Sequence, residues 1–277
     1  MMATSSSAVL DHYKDRPVVV TGCASGIGSA VGRTLTEAGA WVVGLDRKRP
    51  HCPMRQFVTV DLADPESIQS AVTSLPTEVF ALFNCAGLSS GAADPTTVIK
   101  VNFLGLRELV ENVEPRIPSG GAIVSTASAA GRGYRDNSEQ VLGLVQSAGF
   151  LGGDRWVTEH ASYIREYGGY RLSKEAVILY TMARCWCLGK RGVRINALAP
   201  GVTDTPMLQD VAKAHGWQRL DDAVEPLGRR ATADEQARVL LFLNSDWASY
   251  VNGQTIWSDG GAIAAGEIAQ LAADHDS

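Results

Sequence analysis

The sequence predicts an α/β domain: a doubly wound, parallel, seven-stranded sheet with helices on both faces. Three observations carry that expectation. Short runs rich in β-branched residues alternate with stretches of helical period along most of the chain, the pattern of a parallel sheet covered on both sides. A glycine-rich turn, Gly22-Cys23-Ala24-Ser25-Gly26-Ile27-Gly28, joins the first such run to the first helix. An acidic residue, Asp46, closes the second run 18 residues beyond Gly28.

In chain order, Pro17-Val18-Val19-Val20 begins a strand expected near 17–22, and a helix near 26–38 follows, closed by Gly39. Between them Gly22 permits a sharp turn. Gly26 has no side chain to block a phosphate, and Gly28 lets the helix lie close on the sheet. The N–H groups at the helix start, around Ser25 and Ile27, would then face a pyrophosphate. The glycine spacing differs from G-x-G-x-x-G, and an ordinary βα turn is the plain alternative. The next strand, near 40–46, ends on Asp46. A carboxylate there accepts hydrogen bonds from ribose 2′- and 3′-hydroxyls and repels a 2′-phosphate, which favours NAD over NADP. Arg47, Lys48 and Arg49 follow, either as a solvated basic loop or as partners of a 2′-phosphate.

Further strands are expected near 56–61, 79–84, 121–127, 192–198 and 254–258. Helices are expected near 65–74, 97–114, 170–189 and 233–244. Asp64 before Pro65 suits a helix N-cap. The last of the long helices carries Tyr170 and Lys174. Their i, i+4 spacing puts both on one face, Cβ atoms about 5–6 Å apart. An ammonium beside a phenol favours the phenolate, which can take and return a proton near neutral pH. Such pairs are also common on helices with no chemical role.

Composition narrows the classes. A chain of 277 residues supports one sizeable core. A net charge of −5 gives no reason to expect nucleic acid. No apolar run approaches the length of a membrane span, and residues 1–7 lack a signal-peptide core. Five cysteines, an odd number, suit a reducing cytoplasm. Cys185 and Cys187 are too close for the usual zinc spacing and are expected as core residues; no metal site is expected. Residues 1–16 read as a flexible or partly ordered leader and 264–277 as a tail, with the domain spanning 17–263.

From Pro17 to Gly261 the motifs, in this order, resemble the short-chain dehydrogenase/reductase family, which implies a single-domain Rossmann fold. The glycine turn resembles its T-G-x-x-x-G-x-G. Asn84-Cys85-Ala86-Gly87 resembles its N-N-A-G, with Cys85 at the second Asn. Tyr170 and Lys174 fit Y-x-x-x-K. The resemblance implies Asn102, Ser128, Tyr170 and Lys174 as catalytic residues, with Ser125 the competitor of Ser128. It implies cofactor contacts from Gly22, Ser25, Gly26, Ile27, Gly28, Asp46, Asp61, Leu62, Asn84, Ala86, Gly87, Tyr170 and Lys174. Pro200, Gly201, Val202 and Thr205 would hold the nicotinamide carboxamide. Asp61 reads alternatively as a helix cap. Tyr170 would remove the alcohol proton, hydride would pass to the nicotinamide, and Ser128 would hydrogen-bond the reacting oxygen. Lys174 would lower the phenol pKa and hold the ribose. Asn102 would anchor a water relaying protons from Lys174.

Ser128 and Tyr170 lie 42 residues apart, whereas most relatives place them about a dozen apart. The extra material, about 135–169, is too apolar and too long for a bare loop. One or two short helices are expected there. With Ala93-Asp94-Pro95, this arrangement resembles the branch holding bacterial 3α-hydroxysteroid dehydrogenase/carbonyl reductase and coniferyl alcohol dehydrogenase. The implied activity is NAD-dependent interconversion of an alcohol with an aldehyde or ketone, on a bulky apolar or aromatic alcohol. Trp156, Tyr163, Tyr167, Met207, Leu208 and Trp217 are candidates to line the pocket, or else they pack on their own domain. Three alternatives remain. One is a 3α-hydroxysteroid dehydrogenase/carbonyl reductase. Another is a dinucleotide-binding module without turnover, against which the four catalytic candidates count. The third is an NADPH-dependent acyl-carrier ketoreductase, against which Asp46 and the non-basic Ser25 count. A cytoplasmic homodimer or homotetramer is expected.

Overall fold

The computed structural model describes residues 6–222, 224 and 226–275. A short helix, α1 (Ser6–Asp11), leads into β1 (Pro17–Thr21), α2 (Gly26–Glu37), β2 (Trp41–Asp46), β3 (Gln56–Thr59), α3 (Pro65–Thr73) and β4 (Ala81–Asn84). Then come α4 (Pro95–Ile99), a π-helical turn (Lys100–Gly105), α5 (Leu106–Val113) and β5 (Ala122–Thr126). Next are α6 (Ser138–Val145), α7 (Gly149–Glu159), α8 (Ala161–Tyr167), α9 (Gly169–Gly189) and β6 (Arg194–Pro200). The chain ends through β7 (Thr203–Asp204), α10 (Pro206–His215), α11 (Trp217–Asp222), β8 (Ala231–Thr232), α12 (Ala233–Asn244), β9 (Thr255–Ser258) and α13 (Ala262–His275).

Seven strands form one parallel sheet in the order β3-β2-β1-β4-β5-β6-β9. This is the Rossmann arrangement the sequence predicts. Alternate residues supply the two faces, as a period of two requires. Val19, Leu82 and Ile123 enter one core with α3, α5 and α9. Val18, Val20, Ala81, Phe83 and Val124 enter the other with α2 and α12. The strand order reverses between β1 and β4. Helices leave to opposite faces there, so a crevice opens at the strands' C-terminal ends.

Several elements differ from expectation. The helix expected over 97–114 is interrupted by the π-helical turn, an added residue that a 3.6-residue period conceals. The parallel pair β7–β8 was too short to be seen as strands. The insert holds three helices, α6 to α8, because Gly149 (φ 57°) and His160 (φ −103°, ψ 16°) break the run. The leader is packed: Tyr13 is fully buried and donates to Leu241 O at 2.5 Å. Residues 1–5 of that leader lie outside the described residues. Cys185 is only half-buried and Cys187 is exposed, because the second half of α9 turns that face outward.

The insert is fastened by two buried ionic side chains from the core helices. Arg107 of α5 is 2% exposed and donates to Leu144 O (3.3 Å), Val145 O (3.2 Å) and Ser147 O (2.9 Å), and also to Gly149 O. It thereby satisfies the carbonyls that the end of α6 leaves open. Glu175 of α9 is fully buried and accepts from Asn137 Nδ2 (2.8 Å), Tyr167 Oη (2.8 Å) and Arg171 Nε (3.2 Å). Lys100 adds an ion pair to Asp154 of α7 at 2.6 Å. Between these anchors Val141, Leu144, Phe150, Val157 and Ile164 are buried in the core shared with α5 and α9. Leu142 and Leu151 remain exposed.

Candidate active site

The glycine turn forms the floor of the crevice. Gly22 has φ 68°, and a Cβ there would stand 2.7 Å from Ala86 N. Only glycine lets the loop after β4 pass so close. Thr21 Oγ1 accepts the N–H groups of Cys85 and Ala86, both at 3.0 Å, and so joins the turn to that loop. A Cβ on Gly28 would lie 2.3 Å from Gly22 O, so α2 starts pressed against the turn. Ser25, exposed and extended at the N-cap, makes no side-chain cap bond. Gly26 faces Thr205, whose side chain is the nearest neighbour of its absent Cβ, at 3.4 Å. Ile27 is half-buried against the α2 core.

Asp46 reaches the rim of this turn. Its Oδ2 accepts from Ala24 N and its Oδ1 from Lys48 N, each at 3.0 Å. Asp61 is half-buried beyond β3, and its Oδ1 accepts from Ala63 N at 2.9 Å. Asp64, not Asp61, caps α3, through Glu66 N at 2.9 Å. Two of the residues expected at the cofactor have side chains turned inward. Leu62 is 6% exposed and packs inward, its carbonyl oxygen 2.0 Å from where a Cβ on Gly105 would be. Asn84 is 2% exposed and donates to Ser125 Oγ at 3.1 Å, tying β4 to β5. Asn84, the last residue of β4, turns away because strand residues alternate between faces, and Leu62, in the loop after β3, is held inward against Gly105. Ala86 and Gly87 stay half-buried at the rim. Pro200 is buried; Gly201 donates to Ser258 O at 3.0 Å, and Val202 packs on Leu208 and Ala212.

The residues expected to handle the proton lie at the end of β5 and the start of α9. Ser128 caps the 3-10 turn Ala129–Gly133, accepting from Ala130 N at 3.2 Å. A Cβ on Gly131 would fall 3.0 Å from Lys174 C, so this glycine seats the turn flush on α9. Gly169 does the same at the helix start, its missing Cβ 2.1 Å from Pro95 O. Tyr170 is half-buried in the first turn of α9. Lys174, one turn on, is 5% exposed and donates to Thr126 O at 2.8 Å, its Nζ 5.6 Å from the Tyr170 ring centroid. Asn102, in the π-helical turn, accepts from Leu88 N at 2.7 Å and donates to Leu88 O at 2.9 Å. Ser125, the competitor of Ser128, is buried within the sheet.

Burial raises the Tyr170 phenol, and the facing Ser128 hydroxyl opposes that rise by hydrogen bonding. The Lys174 ammonium donates to the Thr126 carbonyl, and burial lowers its own pKa to about 8. The Cys85 thiol is pushed up to about 12, chiefly by burial, and stays protonated. The insert aromatics pack on their own domain. Trp156 stacks on His160 at 4.0 Å, Tyr163 donates to Asn137 Oδ1 at 2.6 Å, and Tyr167 bonds Glu175. Thr21, Thr126 and Ser173 are site neighbours that sequence reasoning missed. For Thr21 the available signal was its place at the end of β1.

Comparison with known proteins agrees with this geometry. A family profile described as short chain dehydrogenase matches residues 16–139, and one described as Enoyl-(Acyl carrier protein) reductase matches residues 157–262. The gap between them falls inside the insert. The coniferyl-alcohol dehydrogenase of Pseudomonas sp. (strain HR199 / DSM 7063) is 35% identical over 89% of this chain and 96% of its own. The 3-alpha-hydroxysteroid dehydrogenase/carbonyl reductase of Comamonas testosteroni is 33% identical, with the same two coverages, 89% and 96%. The crystal structure of the 3-alpha-hydroxysteroid dehydrogenase from Pseudomonas sp. B-0831, complexed with NADH, superposes with a TM-score of 0.76 at 27% identity, covering 88% of this chain and 95% of that one. The chain belongs to the short-chain dehydrogenase/reductase family, and it is an NAD(P)-dependent oxidoreductase acting on an alcohol or carbonyl group.

A dinucleotide fits the crevice on this structure's own terms. The positive φ of Gly22 and Gly26, the open start of α2 and the bare Gly26–Thr205 gap make a cradle that any larger side chain would fill. Among the described residues no helix is long and apolar enough to cross a membrane, and no cluster of ligating side chains could hold a metal ion.

Proposed function

We propose that the enzyme interconverts a bulky apolar or aromatic alcohol, of the coniferyl alcohol kind, with its aldehyde or ketone, using NAD. The observation that carries the reading is the convergence of Ser128, Tyr170 and Lys174 beside a glycine turn rimmed by Asp46. The bound nicotinamide would supply the hydride acceptor. Gly22, Ser25, Gly26, Ile27 and Gly28 would hold its pyrophosphate. Asp46 would hold the adenosine ribose, and Asp61 and the Leu62 backbone the adenine. Ala86, Gly87 and Lys174 would hold the nicotinamide side, with Pro200, Gly201, Val202 and Thr205 at the carboxamide.

Tyr170 takes the hydroxyl proton during oxidation and returns it during reduction. Because burial raises the phenol, it releases its proton only when a cation approaches. Lys174, freed from Thr126 O or held beside the substrate oxygen, is the cation this chain provides. Ser128 donates to the reacting oxygen as charge develops there. Asn102 keeps the loop after β4 in register beside Lys174.

The preference for NAD rests on Asp46: a 2′-phosphate would meet a carboxylate already fixed at the turn. The pocket for the substrate's apolar body falls to the segment 203–220, where Met207 and Trp217 are partly exposed, since the insert aromatics are occupied by packing. A hydroxysteroid is the second reading, favoured by the 33% identical relative. The insert packs on α5 and α9. We propose that it remodels the subunit contacts those helices would otherwise make, giving a homodimer or homotetramer.

The test is initial-rate activity with NAD and NADP against cinnamyl alcohols, hydroxysteroids and cyclic terpenols. Highest kcat/KM with NAD and a cinnamyl alcohol supports the reading. A steroid in first place transfers it to the alternative, and no turnover with any of the panel overturns both. Light scattering on the wild type and on a variant with 135–169 replaced by a short Gly-Ser link tests the assembly. An unchanged mass and an unchanged substrate profile would make the insert mere decoration.

A further inference from the structure

Ser173 stands between the two catalytic candidates on α9 and is fully buried. Its Oγ donates to Tyr170 O at 2.7 Å and accepts from Asn102 Nδ2 at 3.2 Å. Asn102 is itself saturated: its Oδ1 takes Leu88 N–H, one amide hydrogen goes to Leu88 O and the other to Ser173. The paired bonds to Leu88 N–H and C=O together fix the amide orientation. A chain of hydrogen bonds therefore runs from the loop after β4, through the π-helical turn, to the first turn of α9. Gly87, in that same loop, lies where a Cβ would be 3.2 Å from Asn102 Oδ1 and 3.7 Å from Lys174 Nζ. Asn102 Oδ1 and Lys174 Nζ thus border the same open position beside Gly87, and a shift of α9 would carry Tyr170 with it.

We infer that Ser173 is a positioning residue for the oxidoreductase reaction, fixing the register of the first turn of α9 against Asn102; this rests on the function proposed above. It touches neither substrate nor cofactor. It acts because its hydroxyl is the one group that bonds both partners, donor to the backbone of the proton-handling residue and acceptor from the residue that orders the loop. Loss of the hydroxyl leaves an Asn102 N–H unmade in a buried site and frees Tyr170 O from its tether. The side chains stay in place on average, but the reacting oxygen and the phenol no longer share a fixed distance. Misplacement of that kind lowers turnover more than binding.

The test uses the full-length enzyme, the alcohol the panel identifies, and four proteins: wild type, Ser173→Ala, Asn102→Ala and the double variant. Ser173→Ala should lose roughly 10-fold or more in kcat while KM for the cofactor changes less than about twofold. The double variant should be no slower than Asn102→Ala alone, because both break one chain of bonds. Ser173→Thr, which keeps the hydroxyl, should recover most of kcat. A Ser173→Ala enzyme with kcat within about threefold of wild type, or a double variant whose losses multiply, overturns the inference. If Ser173→Ala fails to fold by circular dichroism, Ser173→Cys, which keeps the volume and weakens both bonds, carries the same expectations. A wild type that turns over no alcohol fails the functional reading. A wild type that does, beside an unimpaired Ser173→Ala, fails the positioning role alone.

Discussion

Lys174 and Glu175 are adjacent, both buried and both ionisable, yet they serve regions of opposite character. Lys174 faces the crevice and donates to one neutral carbonyl, Thr126 O, and its pKa falls to about 8. Glu175 faces the insert and is fully satisfied by Asn137, Tyr167 and Arg171. The difference is instructive. A buried charge surrounded by donors is a fastening; a buried charge left with one weak partner is held in reserve for a group that arrives later. The same divide separates the two walls of the mouth. The insert is bolted to α5 and α9 by Arg107 and Glu175. Among the described residues the opposite wall has only the small cluster of Leu208, Ala212 and Leu220, and leaves Leu227 and Trp217 exposed.

The sharpest way to break this comparison is on the crevice side. Tyr170→Phe keeps the ring and removes the oxygen, so turnover should fall by at least ~10²-fold while dinucleotide binding, followed by fluorescence titration, survives. A variant with near-normal kcat would show that the poised lysine serves some other group. On the insert side, Glu175→Leu leaves Asn137 and Tyr167 without their acceptor. It should cost about 3 kcal/mol of stability, read from urea unfolding. A loss below about 1 kcal/mol would mean the insert is held by apolar packing alone.

Lys174→Met sharpens the contrast, because the two neighbours should respond in opposite senses. Burial depresses the lysine from its usual value near 10.4 to about 8, so below pH 8 the folded state carries a cation it would rather shed. The unfolded state binds more protons between those two values, and wild-type stability therefore rises with pH across that window. The variant, which would be inactive, should melt ~2–4 °C above wild type at pH 7, and the gap should shrink as pH rises through 8 toward 10. A variant less stable than wild type at pH 7 would show that Lys174 is a fastening after all. The smallest effect concerns the rim. Asp46→Ala should narrow the preference for NAD, mainly by improving kcat/KM with NADP, the ratio that reads repulsion at a 2′-phosphate directly. Equal kcat/KM for both cofactors in the wild type would instead point to Arg47 or Arg49.

Much of this was legible in the residues. Runs such as Val18-Val19-Val20 announce buried strands, and the positions of Gly22, Gly26 and Gly28 announce a turn that tolerates no side chains. Ser128, Tyr170 and Lys174, which the fold brings together, stand out in the sequence because short motifs fix them relative to a trailing glycine or to one another. The rest was hidden for identifiable reasons. The inward turn of Asn84 depends on strand alternation at the last residue of β4, and that of Leu62 on how the loop after β3 closes on Gly105. Arg107 and Glu175 look like surface charges until tertiary packing buries them. Ser173 reads as filler within Y-x-x-x-K, since its two partners lie across a backbone turn and 71 positions away.

The π-helical turn at Lys100–Gly105 works as a phase adjuster. Each residue of an ordinary helix advances the side-chain direction by about 100°, so one surplus residue re-aims everything downstream. Before it, α4 meets α8 and the start of α9; after it, α5 lies against α3 and α7. A helix of unbroken pitch could not present Asn102 to the crevice and Arg107 to the insert with both cores still filled. Deleting a single residue from this turn would leave the composition almost untouched, yet it would rotate one of those two side chains off its partner. The segment is thus the one place where a minimal deletion would uncouple chemistry from scaffold without removing a functional group.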